Sequence, residues 1–184
     1  MNETKAHWEE HYGERDRVWS GRVNVQFADV AADLPPGRAL DLGCGEGADS
    51  VWLAERGWNV VGLDLSRPML DAAADRVRVS SGRGRTALAL SSMSALPIAS
   101  RSMDLVVAHG IWNLARSGAE FRAAVREAAR VARPGAGLFV FTFSRRTLRE
   151  SAQPIAGKKK LSQRRGGFLG GVDLGVEGLA LLGE

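Results

Sequence analysis

The run Asp41-Leu42-Gly43-Cys44-Gly45-Glu46-Gly47, with Asp64 further along the chain, brings together the residue types that bind a nucleoside. Glycines let a backbone turn tightly and approach a ligand, and a helix N-terminus just beyond them favours negative charge. Asp64 is placed to accept both hydroxyls of a ribose. Two ligand classes are compatible with such a turn. A dinucleotide such as NAD is bound through G-x-G-x-x-G with an acid about 20 residues on. This chain instead reads D-x-G-x-G-x-G, with an acid before the turn. A carboxylate at Asp41 can order the turn and attract an α-amino group, whereas a pyrophosphate gains nothing from it. A ligand with an amino acid at one end and adenosine at the other fits better, and S-adenosylmethionine is such a ligand.

These residues need elements to hold them. The turn Pro35-Pro36-Gly37 opens a short strand at Ala39-Leu40, and Ala48 to Arg56 reads as a helix stopped by Gly57. Trp58 to Leu63 reads as a second strand ending at Asp64. Upstream, Thr4 to Tyr12 is a helix carrying His7, Trp8, His11 and Tyr12. Asn24 to Asp33 is another, capped by Asn24 with Phe27, Val30 and Ala31 inward. Ser66 can cap a helix from Pro68 to about Val77. Strands are expected at Thr86–Leu90, Asp104–Ala108 and Gly137–Phe143, with a helix over Ser117–Ala132 broken by Pro134-Gly135. The alternation predicts an α/β, Rossmann-like, doubly wound and mostly parallel sheet, helices on both faces, ligand at the carboxyl ends of the strands.

With those motifs in view, the sequence from about Trp19 to Phe143 resembles the class I S-adenosylmethionine-dependent methyltransferases. The resemblance implies that Asp41, Gly43, Cys44, Gly45 and Gly47 wrap the methionine end of the cofactor. Asp64 would bind the ribose, Leu65 would touch adenine, and Met69 would cover an adenine face, since Asp64 to Leu70 reads D-x-S-x-x-M-L. Ser92 stands where the family usually has an acid for the adenine amino group; here Ser92 would accept weakly and Met93 would offer its backbone. His109 falls where the family faces the sulfonium, as a general base or as a strand-end packing residue. Trp112 reads as core or pocket wall. Trp19-Ser20-Gly21-Arg22-Val23-Asn24 is similar to the W-S-G-x-x-N segment of small-molecule methyltransferases of the thiopurine and tellurite-resistance type, in which the tryptophan helps close the cofactor site.

Composition narrows the partners. The 184 residues are 45% hydrophobic, enough for one cored domain, and no apolar run approaches the roughly 20 residues of a membrane span. The N-terminus lacks the apolar stretch of a signal peptide, and one cysteine cannot form an internal disulfide, so a cytoplasmic setting is expected. Residues 1–143 hold 17 of the 25 Lys and Arg and 17 of the 21 Asp and Glu, so the net charge of +4 resides in the remaining residues. No row of aromatics accompanies those charges to stack bases, and no N-P-P-Y follows the fourth strand, so nucleic acid is not the expected partner. The expected acceptor is a small molecule, and no metal is called for.

The expected organisation is a helical N-terminal cap over 1–36, a cofactor-binding core over 37–144, and a basic, glycine-rich tail over 145–184, disordered or irregular. The family's sixth and seventh strands are expected to be missing. The fifth strand would then present an open edge through which two copies could pair. The expected activity is methyl transfer to a small molecule by in-line displacement. The alternatives are a cofactor-binding module without catalysis and an NAD-dependent oxidoreductase.

Overall fold

The computed structural model describes residues 21–142 and the strand Glu177–Leu181. The helix expected over Thr4–Tyr12, Trp19 and the basic cluster Arg145–Arg165 lie outside the described residues. Among the described residues six strands form one sheet: β1 (Arg38–Leu42), β2 (Asn59–Asp64), β3 (Thr86–Leu90), β4 (Met103–His109), β5 (Ala132–Phe141) and β6 (Glu177–Leu181). Four α-helices accompany them among the described residues: α1 (Val25–Ala31), α2 (Ala48–Glu55), α3 (Arg67–Val79) and α4 (Gly118–Val131). The order is β3-β2-β1-β4-β5-β6, with β1 to β5 parallel and β6 antiparallel to β5. Among the described residues no helix is long and apolar enough to cross a membrane.

The middle of the sheet is buried from both sides, which is why residues 105–108 of β4 read as an unbroken apolar run. Its alternate residues serve different layers. Val106 and Ala108 pack with Ala124, Ala128 and Val131 of α4, while Leu105 and Val107 pack with Phe27 of α1 and Leu53 and Ala54 of α2. The expected caps hold: Asn24 Oδ1 accepts from Phe27 N at 3.0 Å, and Ser66 Oγ from Met69 N at 3.5 Å. Each satisfies a first-turn amide that has no partner within its helix.

Three expectations change. Val30 is 37% exposed, because Phe27 and Ala31, one turn apart, already supply the narrow buried stripe of a seven-residue helix. Pro134-Gly135 does not separate α4 from β5 but lies inside β5, where the pairing register shifts between Met103 and Leu105. Proline lacks the amide that a regular ladder needs there. The third change concerns the sheet edge. Leu179, Ala180 and Leu181, in the tail expected to be disordered or irregular, form β6 with Glu177 and Gly178, against Gly137–Phe141. The part of the tail that is described is therefore regular, and this edge of β5 is not open for pairing between copies. A partner edge of unpaired backbone groups outweighs weak intrinsic propensity.

Phe27 anchors α1. Its ring lies 4.9 Å from Phe139 and 5.7 Å from Trp52, tilted against both, and it is fully buried. Replacing Phe27 with alanine is expected to destabilise the fold by about 3–5 kcal/mol in denaturant unfolding. A loss below about 1 kcal/mol would mean that α1 is not docked as described.

Candidate functional site at the switch between β1 and β4

The chain moves outward from β1 through β2 to β3, then returns to place β4 on the other side of β1. Ligands of doubly wound sheets bind where the strand order reverses, outside the carboxyl ends. Here those ends are Leu42 and His109. The loop leaving β1 is pinned to its neighbour, since Gly43 N and Cys44 N both donate to Leu63 O, at 2.7 and 3.0 Å. Gly43 has φ 67°, and a Cβ there would stand 2.5 Å from Ile111 Cδ1, so no larger residue fits without moving the loop after β4. Gly45, at φ 52°, would carry a Cβ with no atom within 4 Å. Its backbone therefore faces open space, as a backbone meant to approach a ligand should. Gly47 N donates to Cys44 O and begins α2, with Ala73 of α3 behind it.

Acidic side chains surround this loop. Asp64, at the tip of β2, accepts from Gly45 N at 2.9 Å with one oxygen and from Ser66 N at 2.8 Å with the other. Burial raises its pKa, and those backbone bonds oppose the rise. Asp41, 2% exposed, accepts from Ser50 Oγ at 2.6 Å. Burial, reinforced by the neighbouring Asp49 charge, pushes its pKa up to about 7. Asp49 lies in the first turn of α2, where the helix dipole favours an anion, and takes His109 Nδ1 at 2.8 Å. Burial alone would lower the His109 pKa, but the Asp49 bond and charge, together with Asp41, carry it above the ordinary value. Cys44 is buried, and burial pushes its thiol up, as do Asp41 and Asp64. It is a small wall residue, unsuited to act as a thiolate.

Leu65 and the half-buried Ser92 and Met93 follow the ends of β2 and β3, which pair side by side through Asp64 and Leu90. Ser92 Oγ lies 2.9 Å from Ser94 Oγ and accepts from Ser94 N. Met93 rests against the core, and Met69 is buried at the start of α3. Trp112 packs edge-on to Phe121 in the core under α4. Sequence reasoning missed Asp49 and Ser50, the partners of His109 and Asp41. The i to i+9 step from Asp41 to Ser50 crosses the loop, and Asp49 meets His109 across 60 residues, so no local pattern announces either pair. It also missed Arg76, whose guanidinium donates to Glu46 O at 2.8 Å and to Gly21 O at 2.7 Å, tying α3 to the loop and to the start of the described chain.

The donor set suits a nucleoside that carries a cation. A carboxylate at the β2 tip can take vicinal hydroxyls, an open glycine backbone can take polar atoms, and Asp41 and Asp49 favour positive charge. The same two acids oppose a pyrophosphate. Fold and site thus define a Rossmann-like nucleoside-binding domain. Residues 39–135 match the family described as methyltransferase domain, and the chain belongs to that family, with the class I fold. A demethylmenaquinone methyltransferase of Corynebacterium efficiens is 38% identical over 133 residues, 71% of this chain and 50% of that protein. The ubiquinone/menaquinone biosynthesis C-methyltransferase UbiE of Syntrophotalea carbinolica is 37% identical over 135 residues, 72% and 53%. The chain thus spans about half the length of these curated relatives. A structure solved in work on conversion of a disulfide bond into a thioacetal group during echinomycin biosynthesis is 28% identical. It has a TM-score of 0.66 and covers 79% of this chain and 62% of its own.

The buried acids set a pH dependence. Asp41 binds its proton more tightly folded than unfolded, so it favours folding below its ordinary pKa, and that contribution is lost as pH rises towards about 7. Asp41→Asn keeps the shape and an acceptor for Ser50. It is expected to raise Tm by several degrees at pH 8 and to leave it unchanged below pH 4. An equal Tm at pH 8 would show that Asp41 carries no such burden.

Proposed function

We propose that this chain binds S-adenosylmethionine and transfers a methyl group to a small-molecule acceptor. The observation that carries the reading is the pairing of two acidic environments across one glycine loop. Asp64 stands at one end, bonded to Gly45 N, and Asp41 with Asp49 at the other. The first matches a ribose, the second an α-ammonium and a sulfonium. When bound, the cofactor supplies a methyl group on a positively charged sulfur, a good leaving group.

The protein's residues then have a positioning task. Asp64 would fix the ribose, the Gly43–Gly47 backbone the methionine end, Leu65, Met69, Ser92 and Met93 the adenine surroundings, and Trp19 the closure of the site. Holding acceptor and methyl carbon at attack distance can supply about 7–11 kcal/mol of the barrier. His109, at the end of β4, would take a proton from an acceptor that arrives protonated. Its neutral Nδ1–H form, held by Asp49, leaves the Nε2 lone pair for that purpose. The relatives' names direct attention to reduced quinone rings, methylated at carbon, where loss of a ring or hydroxyl proton accompanies transfer. Such an acceptor, a cytoplasmic setting and an activity confined to small molecules belong to this proposal.

Titration calorimetry with S-adenosylhomocysteine, with NAD as control, tests it. Micromolar binding of the former alone is expected. Asp64→Asn removes one charge-assisted acceptor worth about 1.5–3 kcal/mol and should weaken binding by roughly tenfold or more. Binding of NAD in place of S-adenosylhomocysteine would overturn the proposal. So would a folded chain that binds the homocysteine compound yet methylates neither a reduced naphthoquinone nor any other acceptor in a broad screen.

A further inference from the structure

Asn24 closes the W-S-G-x-x-N segment, and its amide does two things at once. Its Oδ1 accepts from Phe27 N at 3.0 Å, which fixes the amide's orientation as the cap of α1. Its Nδ2 is thereby turned towards His109, 3.5 Å from Nε2. The other ring nitrogen is taken by Asp49 Oδ2 at 2.8 Å. Since a carboxylate accepts, Nδ1 carries the hydrogen. Since an amide nitrogen donates, Nε2 presents its lone pair. The ring is otherwise bounded by Phe141 and Phe139, at 5.0 and 6.3 Å between centroids, neither of which titrates. The charged groups that face it are Asp49 from α2 and Asp41 from β1. Both draw a proton onto the ring; burial opposes them, and the Asn24 donor facing Nε2 does so as well.

We infer that Asn24 is a positioning residue for the proposed methyl transfer. It caps α1 and keeps His109 in the Nδ1–H tautomer with Nε2 unprotonated, ready for a proton from the acceptor. Protonating Nε2 would set an imidazolium N–H against the Nδ2 donor, and the amide cannot rotate to offer its oxygen without uncapping α1. An acceptor hydroxyl that arrives at Nε2 displaces one weak donor and finds the lone pair in place. Asn24 thus serves the chemistry as well as the cap of α1. The inference rests on the reading of His109 as the proton acceptor, but its central claim concerns the ring itself and needs no cofactor to test.

Two substitutions preserve the cap and change only what faces the ring. Serine caps well but is too short to reach Nε2, and aspartate caps well but presents an acceptor. NMR titration of the His109 ring in the cofactor-free full chain is expected to give the order wild type, then Asn24→Ser, then Asn24→Asp. The last should be higher than wild type by a unit or more. Thermal unfolding of all three checks that α1 remains docked. If the three titrate together in folded proteins, the inference is overturned. With S-adenosylmethionine and a reduced naphthoquinone, the acid limb of kcat/KM should move upward in the same order. At pH 7, Asn24→Asp should lose activity in kcat/KM, by up to about tenfold for each unit by which the base is shifted. If the ring shifts but the acid limb stays, His109 is not the proton acceptor and the catalytic part of the inference fails. Absence of S-adenosylhomocysteine binding would instead count against the functional proposal, while the ring titration still decides what Asn24 does to His109.

Discussion

The contact between Asp49 and His109, with Asp41 buried beside it, is the constraint on which the site depends. Two carboxylates have been taken out of water within one loop of each other. Without compensation such a pair would protonate or drive the loop open. The fold supplies three kinds of compensation. The N-terminus of α2 favours the Asp49 anion, Ser50 donates to Asp41, and His109 approaches from β4 to donate its Nδ1–H to Asp49. Each comes from a different part of the fold, so the three must be docked together before the acids can be buried. The glycine loop is where those elements meet.

That dependence explains the sheet's construction. His109 reaches Asp49 because β4 lies beside β1, and it lies there because the chain crosses back after β3. Asp41 pairs in register with Val107 on one side and Gly62 on the other, which sets its depth below the loop. Gly62 has its own reason to lack a side chain. A Cβ there would fall 2.8 Å from Leu88, 3.0 Å from Ser50 Oγ and 3.1 Å from Cys44 Sγ. The hydroxyl that serves Asp41 needs that space. Core packing and site electrostatics therefore share residues, and a substitution in β2 acts on the acids without touching them.

Much of this frame was legible in the chain because it is written in local patterns. Glycines at alternate positions between a strand and a helix, asparagine and serine ahead of apolar helical faces, and continuous apolar strands each follow from backbone sterics or burial over a few residues. The positions of Asp41 and Asp64 beside the loop were readable for the same reason. Asp49 was not, since an acid in a first helical turn is ordinary, and only the return of β4 gives it a histidine. β6 was unreadable because Glu177-Gly178-Leu179-Ala180-Leu181 has little strand character of its own. Its conformation is imposed by the edge of β5, a partner far away in sequence. Asn24 was read correctly as a cap, yet only half of its amide was accounted for; the other half faces a residue 85 positions on.

The arrangement also fixes what a ligand must do to be held. The folded protein keeps Asp41 and Asp49 close at a cost in stability, and a bound cation in their reach would offset part of that cost. A ligand that binds only the folded chain stabilises it by RT ln(1 + [L]/Kd), and here the gain includes relief of like-charge crowding. An anionic ligand would add to the crowding instead. Asp64 behaves differently. Its oxygens are already occupied by Gly45 N and Ser66 N, so it is oriented rather than frustrated, and it offers its remaining lone pairs in a fixed direction. One end of the loop therefore selects by charge and the other by hydrogen-bond geometry. A ligand must satisfy both to gain from either, because the same short loop connects them. In the proposed reaction, the neutral thioether left after methyl transfer would keep the second match and lose part of the first. On that reading the product would be held less strongly at the acidic end than the cofactor from which it came, a bias towards release set by the same two carboxylates.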